Sequence, residues 1–224
     1  VKECRKLPNF DTDGKPEIEA ATQSWMLHLS QNNSIIVDYF QGQLKSTIEC
    51  CHCGKKSIKF DTFMYLSLPV PMNKRNCTVE ECMRLFLAPE RMSGSSRWRC
   101  PCCKTFRDAE KRIELWKLPR ILLIHLKRFL WDGRWREKLT KFIDFPLTQF
   151  SLESFVCGPD KPSSYNLYAL SHHTGTLEAG HYTACCKNAA TSKWYKYDDI
   201  EVHDISPSLV KTSGAYILFY CNER

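Results

Sequence analysis

The 224-residue sequence predicts an α+β fold. Apolar residues recur at helical spacing near the N-terminus, and short or alternating apolar runs typical of strands fill most of the later chain. Two C-x-x-C pairs, which begin at Cys50 and Cys100, lie between strand patterns. We therefore expect a few helices beside a large amount of sheet, with a metal-binding region built on hairpins.

The composition is that of a globular chain, with 43% hydrophobic and 25% charged residues. It contains no run of eighteen apolar residues and no signal peptide, which argues against a membrane span and against secretion. Thirteen cysteines, several of them adjacent in sequence, fit reduced thiols and a metal site better than a disulfide framework. We therefore expect a monomeric protein of the cytosol or nucleus. The first residue is Val1, which indicates a processed or truncated chain.

Three helices are predicted. Apolar spacing from Ile18 to Leu29 indicates a first helix that starts at Glu17 and covers a core. Ser34 can cap a second, short helix, and a capping box that starts at Thr78 opens a third.

The strand pattern covers most of the remaining chain, and the final run closes it as a buried strand. The predicted strands are Gln43–Glu49, Phe60–Pro71, Ile121–Ile124, Phe142–Pro146, Tyr165–Leu170, Tyr182–Cys186, Lys193–Tyr197 and Ala215–Tyr220. Trp131-Asp132-Gly133 is predicted to form a turn and Ser206–Lys211 a short helical turn. Residues Ser171–Gly180 are predicted to form a long loop, which often moves on substrate binding.

The two C-x-x-C pairs predict a structural zinc site. Cys50, Cys53, Cys100 and Cys103 can supply four thiolates to one tetrahedral Zn²⁺, which leaves no open position for a catalytic water. The two knuckles would sit at the tips of two long hairpins, and their neighbours Cys51 and Cys102 would not be ligands. The alternative is that two such pairs occur by chance in a cysteine-rich chain.

A hairpin near the C-terminus carries a candidate catalytic pair. If its turn is centred between Ala189 and Ala190, His181 lies directly opposite Asp198, at a Cβ separation of about 5 Å. A carboxylate there would fix the tautomer of the imidazole and stabilise its charged form. The hairpin alone leaves a second interpretation open, an ordinary polar pair at the end of a sheet.

The stretch from Arg99 to Lys141 is strongly basic, with thirteen Lys or Arg against five Asp or Glu, in a chain of net charge +7. Arg120, Lys127 and Arg128 flank a buried run, so we interpret this stretch as a solvated strand surface. Contact with phosphates or with an acidic partner is the alternative.

Several motifs together resemble the ubiquitin-specific proteases, a family of ubiquitin carboxyl-terminal hydrolases, in order and spacing. From about residue 30 onward, the resemblance rests on Cys50-x-x-Cys53 with Cys100-x-x-Cys103, Leu118-Pro119, His125-Leu126-Lys127-Arg128-Phe129, Phe145-Pro146, Gly180-His181-Tyr182, Trp194-Tyr195-Lys196-Tyr197-Asp198-Asp199 and Ala215–Tyr220. The local sequence around these motifs is most similar to the branch that holds ubiquitin carboxyl-terminal hydrolases 8 and 50.

The resemblance implies a papain-like cysteine protease fold with thumb, palm and fingers. Residues 1–42 would join thumb to palm, 43–115 would form zinc-binding fingers, and 116–224 the palm. It also implies that His181 is the general base, that Asp198 orients it and that Asp199 helps to stabilise the oxyanion. A blocking loop would cover the C-terminal tail of ubiquitin, with substrate contacts from Gly180, Tyr182, His172 and His173.

The sequence departs from the family pattern at the nucleophile. The family's asparagine–glycine–cysteine box is absent, so the thumb is largely missing and no nucleophile is expected in this chain. Cys4 lacks the surrounding motif, and Cys185 would lie about 13 Å from His181 along its strand. Cys185 also stands where relatives carry an aromatic residue, which predicts looser packing behind the histidine.

Three functions follow as hypotheses. The first is a deubiquitinase-type thiol peptidase module that binds ubiquitin or a ubiquitin-like modifier on ubiquitinated proteins and is inactive alone. The second is a ubiquitin-binding scaffold without chemistry. The third, of another class, is a zinc-ribbon nucleic-acid binder with aromatic stacking surfaces. We favour the first and expect no nucleic-acid partner.

Overall fold

A computed structural model describes residues 14–131, 136–161, 164–176 and 178–222. Cys4 and most of the predicted turn at 131–133 lie outside these residues. The helices are α1 (Glu17–Asn32), α2 (Ile35–Phe40) and α3 (Val79–Phe86). No helix in the described ranges is long and apolar enough to cross a membrane.

The strands divide among two large sheets and three two-stranded ladders. In chain order they are β1 (Gly42–Cys50), β2 (Lys56–Phe63), β3 (Tyr65–Pro69), β4 (Cys77–Thr78), β5 (Glu90–Met92), β6 (Trp98–Arg99), β7 (Phe106–Arg107), β8 (Ala109–Lys117), β9 (Ile121–Lys127), β10 (Phe129–Trp131), β11 (Arg136–Lys138), β12 (Ile143–Asp144), β13 (Tyr165–Gly175), β14 (Gly180–Lys187), β15 (Trp194–Asp198), β16 (Glu201–Ile205) and β17 (Ala215–Asn222).

The three predicted helices are present. The Ser34 hydroxyl accepts a hydrogen bond from the amide of Val37 at the start of α2, and α3 opens on the predicted capping box. In α1 the buried face is formed by Ala20 and Ala21, whereas Ile18 is 60% exposed. The prediction that Ile18 faces the core is wrong, because the small alanines are the residues packed in one cluster with Phe60 and Trp116.

A four-stranded sheet, in the order β2-β1-β8-β5, forms the first half of the molecule, and the hairpin of its strands β1 and β2 carries the first cysteine knuckle. The predicted single strand from Phe60 to Pro71 is two strands that belong to different sheets. β2 ends at Phe63, and after Met64 the chain enters β3, which pairs in parallel with β9. The predicted fingers segment 43–115 therefore contributes a strand to the other sheet, and the three-part division of the chain stays a prediction.

A seven-stranded sheet, in the order β16-β15-β14-β13-β17-β9-β3, forms the second half. The predicted buried strands are confirmed at its centre, where Leu122 and Ile124 of β9 and Leu218 and Tyr220 of β17 have no exposed surface. α3 packs against β3 and buries Met83 in the same core. The core thus fixes the central strands, and successive pairings carry this order outward to β14 and β15.

The predicted long loop from Ser171 to Gly180 is mostly strand. β13 continues to Gly175 because every residue from Ser171 to Gly175 pairs with β14, while Ser171 and His172 also pair with β17. Only residues 176–179 connect β13 to β14, and the amide of Thr176 bonds the carbonyl of Ala179 at 2.8 Å. The feature expected to be a mobile loop is the tip of a hairpin.

The basic stretch is not a solvated strand surface throughout. Arg128 is fully buried, and its guanidinium donates to the carbonyl oxygens of Ala215, Leu139 and Lys141 at 2.7–2.9 Å. Lys138 donates to the carbonyls of His173 and Gly175, and Lys141 to those of Pro71 and Lys74. These cations hold backbone segments together, since buried carbonyls need donors.

Candidate active site and metal centre

The hairpin of β14 and β15 positions the candidate catalytic pair. Its strands pair from Lys187 with Trp194 to Ala184 with Tyr197. The Asn188 side chain accepts hydrogen bonds from two loop amides, and Ser192 adopts a left-handed backbone with φ 57°. The turn is therefore centred one residue later than predicted, because this loop geometry was not visible in the residue pattern.

The later turn changes the pairing of the candidate residues but not their face of the sheet. Moving the centre by one residue shifts the register by two, and side chains alternate with a period of two. His181 is therefore diagonal to Asp198 and not directly opposite, so that prediction is wrong. The two side chains still meet, with 2.6 Å between His181 Nε2 and Asp198 Oδ1, because diagonal neighbours are within reach of long side chains.

Lys196 is a third member of the candidate site, and the sequence alone did not indicate a role for it. Its Nζ donates to Asp198 Oδ2 at 2.8 Å, so each carboxylate oxygen has its own cationic or imidazole partner. Residues two apart on a strand share a face. That spacing was the signal that could have identified Lys196 from the sequence.

Asp198 and each of its two partners favour the charged form of one another, which shifts their pKa values. The hydrogen bond to Asp198 raises the pKa of His181, while Lys196 first and His181 second lower the pKa of Asp198. When Nε2–H donates to the carboxylate, the lone pair of the imidazole lies on Nδ1. The arrangement can therefore accept a proton at Nδ1 and stabilise the resulting imidazolium.

Asp199 lies beside the pair, and no cysteine joins the cluster. The ligating atoms of His181, Asp198 and Asp199 lie within 4.8 Å of one another, and among the described residues this group includes no sulfur. Asp199 adopts a left-handed backbone with φ 50° at the turn into β16. Its predicted help to an oxyanion stays a prediction.

Cys185 is unsuited to act as the nucleophile. It is buried, its sulfur lies 3.9 Å from Nδ1 of His172, and burial raises its pKa to about 11. A thiol in that state is not a ready thiolate. The described part of the chain thus presents a base and its carboxylate without a thiol beside them.

The four residues expected to contact substrate fall into two groups. Tyr182 is 55% exposed, and Gly180 is also at the surface. A Cβ at Gly180 would lie 2.1 Å from Nε2 of His173, so only glycine fits. His172 and His173 are buried, and the ring centroids of His173 and Tyr182 are 4.6 Å apart. Substrate contact by each of the four residues stays a prediction.

The two cysteine knuckles have matching backbone geometry. In each knuckle, the backbone carbonyl of the first cysteine accepts a hydrogen bond of 2.9 Å from the backbone amide four residues later. The donor is Gly54 in the first knuckle and Lys104 in the second. Both of these residues have positive φ, 70° and 59°. The first knuckle lies at the tip of the long β1–β2 hairpin, but the second joins β6 and β7, which have two residues each, so the expectation of a second long hairpin is wrong.

The knuckles bring four sulfurs into one cluster. The Sγ atoms of Cys50, Cys53, Cys100 and Cys103 all lie within 4.8 Å of one another. The amides of Cys53 and His52 lower the pKa of Cys50 to about 7, while the close sulfur of Cys53 heads the causes that raise the pKa of Cys103 to about 12. A thiophilic dication fits this all-sulfur donor set, because it would stabilise every thiolate at once.

Comparison with known proteins decides the family. A profile of the ubiquitin carboxyl-terminal hydrolases matches residues 8–220. The chain belongs to the ubiquitin carboxyl-terminal hydrolase family. The papain-like α+β fold expected from the motifs is that of this hydrolase family.

Curated members of the hydrolase family are similar over most of this chain. Ubiquitin carboxyl-terminal hydrolase 2 of Gallus gallus is 40% identical over 219 residues, which cover 96% of this chain and 61% of that protein. Ubiquitin carboxyl-terminal hydrolase 4 of Bos taurus is 34% identical over 89% of this chain and 20% of its own length. The chain thus spans at most 61% of these relatives. Its assignment to the branch of hydrolases 8 and 50 stays a prediction.

Solved structures of a hydrolase module are similar in fold. The SAGA Ubp8/Sgf11/Sus1/Sgf73 DUB module bound to ubiquitin aldehyde matches 92% of this chain and 47% of its own, with a TM-score of 0.74 and 30% identity. A variant of that module bound to monoubiquitin matches with a TM-score of 0.75 and 32% identity, over 92% of this chain and 46% of its own.

Asp198→Asn should lower the pKa of His181, because the hydrogen bond to the carboxylate is the main cause that raises it. In the unaltered chain the imidazole stays charged to higher pH and becomes a proton acceptor only as pH rises through the raised value. NMR titration of the His181 ring measures this directly. Asp204→Asn, which removes a carboxylate paired with Lys193, is the control and should leave the titration unchanged. An equal pKa in the Asp198 variant would contradict the account.

Cys53→Ser should abolish binding of about one zinc per chain and lower the unfolding temperature, since a structural zinc contributes folding free energy. Cys51→Ser is the matched control, because Cys51 is an exposed cysteine of the same knuckle outside the cluster. Metal analysis and thermal unfolding of both variants check the prediction. Retention of zinc by the Cys53 variant, or its loss from the Cys51 variant, would show that the ligand set is wrong.

Proposed function

We propose that this chain is the part of a deubiquitinating thiol hydrolase that binds ubiquitin and supplies the general base. The observation that carries the proposal is the 2.6 Å hydrogen bond between His181 Nε2 and Asp198 Oδ1, in a chain that matches the hydrolase family over residues 8–220. His181 is partly exposed, with 48% of its side-chain surface accessible, so Nδ1 has room for a reacting thiol.

The chemistry proposed is acyl transfer through a thioester. Nδ1 of His181 takes the proton of a cysteine thiol, and the thiolate attacks the carbonyl carbon of the C-terminal glycine of ubiquitin, which forms the thioester and breaks the bond to the amine. The imidazolium then returns the proton to the leaving amine, and water hydrolyses the thioester with His181 again as the base. Asp198 holds the imidazole in the productive tautomer, and Lys196 holds Asp198 ionised.

The cysteine in this proposal is not one of the described residues. Cys185 is buried, and the sequence has no asparagine–glycine–cysteine box. We therefore propose that the chain binds ubiquitin without turning it over by itself. A scaffold that binds ubiquitin without any chemistry makes the same prediction for this chain.

Ubiquitin would lie against the four-stranded sheet, with its C-terminal tail beside Gly180 and Tyr182. The SAGA DUB modules similar to this chain were solved with ubiquitin aldehyde and with monoubiquitin, which supports this partner. Zinc at Cys50, Cys53, Cys100 and Cys103 would be structural, because four thiolates complete a tetrahedral shell. We do not propose nucleic-acid binding, since Arg128, Lys138 and Lys141 of the basic stretch donate to the chain's own carbonyls.

Titration of the isotope-labelled chain with ubiquitin tests the proposal. We expect NMR shifts in the four-stranded sheet and at Gly180 and Tyr182, and ubiquitin shortened by its C-terminal glycines should lose only the shifts at these two residues. Tyr182→Ala should weaken binding by about fivefold or more, as loss of a contact residue does. Tyr65→Ala is the control, because Tyr65 is a 59% exposed tyrosine on β3 at the other end of the sheet order.

Absence of any ubiquitin-dependent shift would overturn the proposal. If Tyr182→Ala and Tyr65→Ala weakened ubiquitin binding equally, the candidate site would not be where ubiquitin binds. Shifts at Gly180 and Tyr182 that survive removal of the ubiquitin tail would also contradict the assignment.

A further inference from the structure

The strand β16 (Glu201–Ile205) is an open edge of the seven-stranded sheet. Among the described strands it pairs only with β15, so its outer backbone N–H and C=O groups point away from the sheet. Natural proteins usually protect such an edge with charged side chains, lysine above all, with proline or with a bulge. β16 carries the charged Glu201 and Asp204 but no lysine and no proline, and it pairs in an unbroken register from Trp194–Ile205 to Asp198–Glu201. The opposite edge strand, β3, ends at Pro69.

Apolar side chains stand exposed next to this edge. Ile200, at the two-residue turn from β15 into β16, is 98% exposed. Val202 is 54% exposed, and its cross-strand partner Tyr197 on the same face is 41% exposed. Single apolar residues on a surface need no explanation, but adjacent ones beside an unpaired strand mark a contact surface. We call Tyr197, Ile200, Val202 and the outer backbone of β16 the edge surface.

The segment that bears the edge surface is acidic in a basic chain. Residues 197–210 contain four acids and no lysine or arginine, whereas the whole chain has a net charge of +7. Within β16, Glu201 and Asp204 lie on opposite faces of the strand. Lys196 pairs with Asp198 at 2.8 Å and Lys193 with Asp204 at 3.0 Å, whereas the ion-pair partner of Glu201 among the described residues is His203, at 3.1 Å. The charge favours a cationic partner and opposes nucleic acid.

We propose that the outer edge of β16 binds, by strand addition, an extended segment of another protein in which apolar and cationic side chains alternate. Backbone hydrogen bonds to the edge would give affinity, and alternate side chains would give selectivity. The apolar ones would pack on Val202 and Tyr197, and the cationic ones would meet Glu201 on the other face. A second copy of this chain fits poorly, because two segments of four acids would lie side by side.

The site goes beyond the proposed function and does not depend on it. Its members are distinct from the candidate ubiquitin contacts Gly180 and Tyr182, and strand addition requires no proton transfer. Because Glu201 of β16 is paired directly with Asp198 of β15, only β16 would separate a bound segment from the strand that carries the candidate catalytic carboxylate. Failure of ubiquitin binding would leave this inference standing, and the reverse also holds.

The test uses a synthetic peptide of alternating lysine and valine, titrated into the isotope-labelled chain. We expect NMR amide shifts confined to β16 and the adjoining turns. Val202→Lys should weaken binding about fivefold, because it removes a cross-strand apolar contact and adds a like charge. Ile18→Lys, at a 60% exposed isoleucine on α1, should not change it. The ring resonances of His181 report whether the Val202 variant keeps its fold.

Two further peptides separate strand addition from charge attraction. A lysine–valine peptide with alternate backbone nitrogens methylated should not bind, because it cannot form the ladder. A glutamate–valine peptide should not bind, because its charge is wrong. Equal binding of the methylated peptide, shifts spread over other surfaces, or no effect of Val202→Lys would each overturn the proposal.

Discussion

The buried strand β17 is the constraint on which the rest of the molecule depends. It is hydrogen bonded to β9 on one side and β13 on the other, and Leu218 and Tyr220 have no exposed surface. Side-chain hydrogen bonds reinforce it, since the Tyr220 hydroxyl donates to the carbonyl of Pro146 and Arg128 donates to that of Ala215. Each further strand takes its place from this one, so the position of His181 on β14 is set by packing far from any chemistry.

The candidate site consists of three hydrogen-bonded polar side chains on two paired strands of this sheet. Lys196, Asp198 and His181 form a chain of hydrogen bonds in which the carboxylate uses both oxygens. The hydrogen bond to Asp198 orients the His181 ring and raises its affinity for a proton. Because the three groups are partly exposed, their hydrogen bonds contribute little to the stability of the fold. The four-cysteine cluster begins at the end of β1 in the four-stranded sheet, whereas the candidate catalytic pair lies in the seven-stranded sheet. The chain passes directly between these two sheets, from β2 to β3, at Met64.

The sequence was informative where local pattern decides structure. The buried runs of β9 and β17, the capping box at Thr78 and the four knuckle cysteines all follow from short-range spacing. The hairpin register was missed because it depends on Ser192 in a left-handed backbone, and residue type alone does not reveal that conformation. The burial of Arg128 was missed because its carbonyl partners come from distant parts of the chain. The strand β16 has mostly exposed side chains, so it shows no alternation between apolar and polar residues to predict it.

Among the described residues, the candidate base His181 and its carboxylate Asp198 have no thiol beside them to activate. Ubiquitin with an electrophile at its C-terminus tests most directly whether this chain supplies such a thiol, with mass mapping of all thirteen cysteines. The account predicts a ubiquitin complex without a covalent adduct at any cysteine of this chain. An adduct on one of these cysteines that disappears with His181→Ala would contradict it.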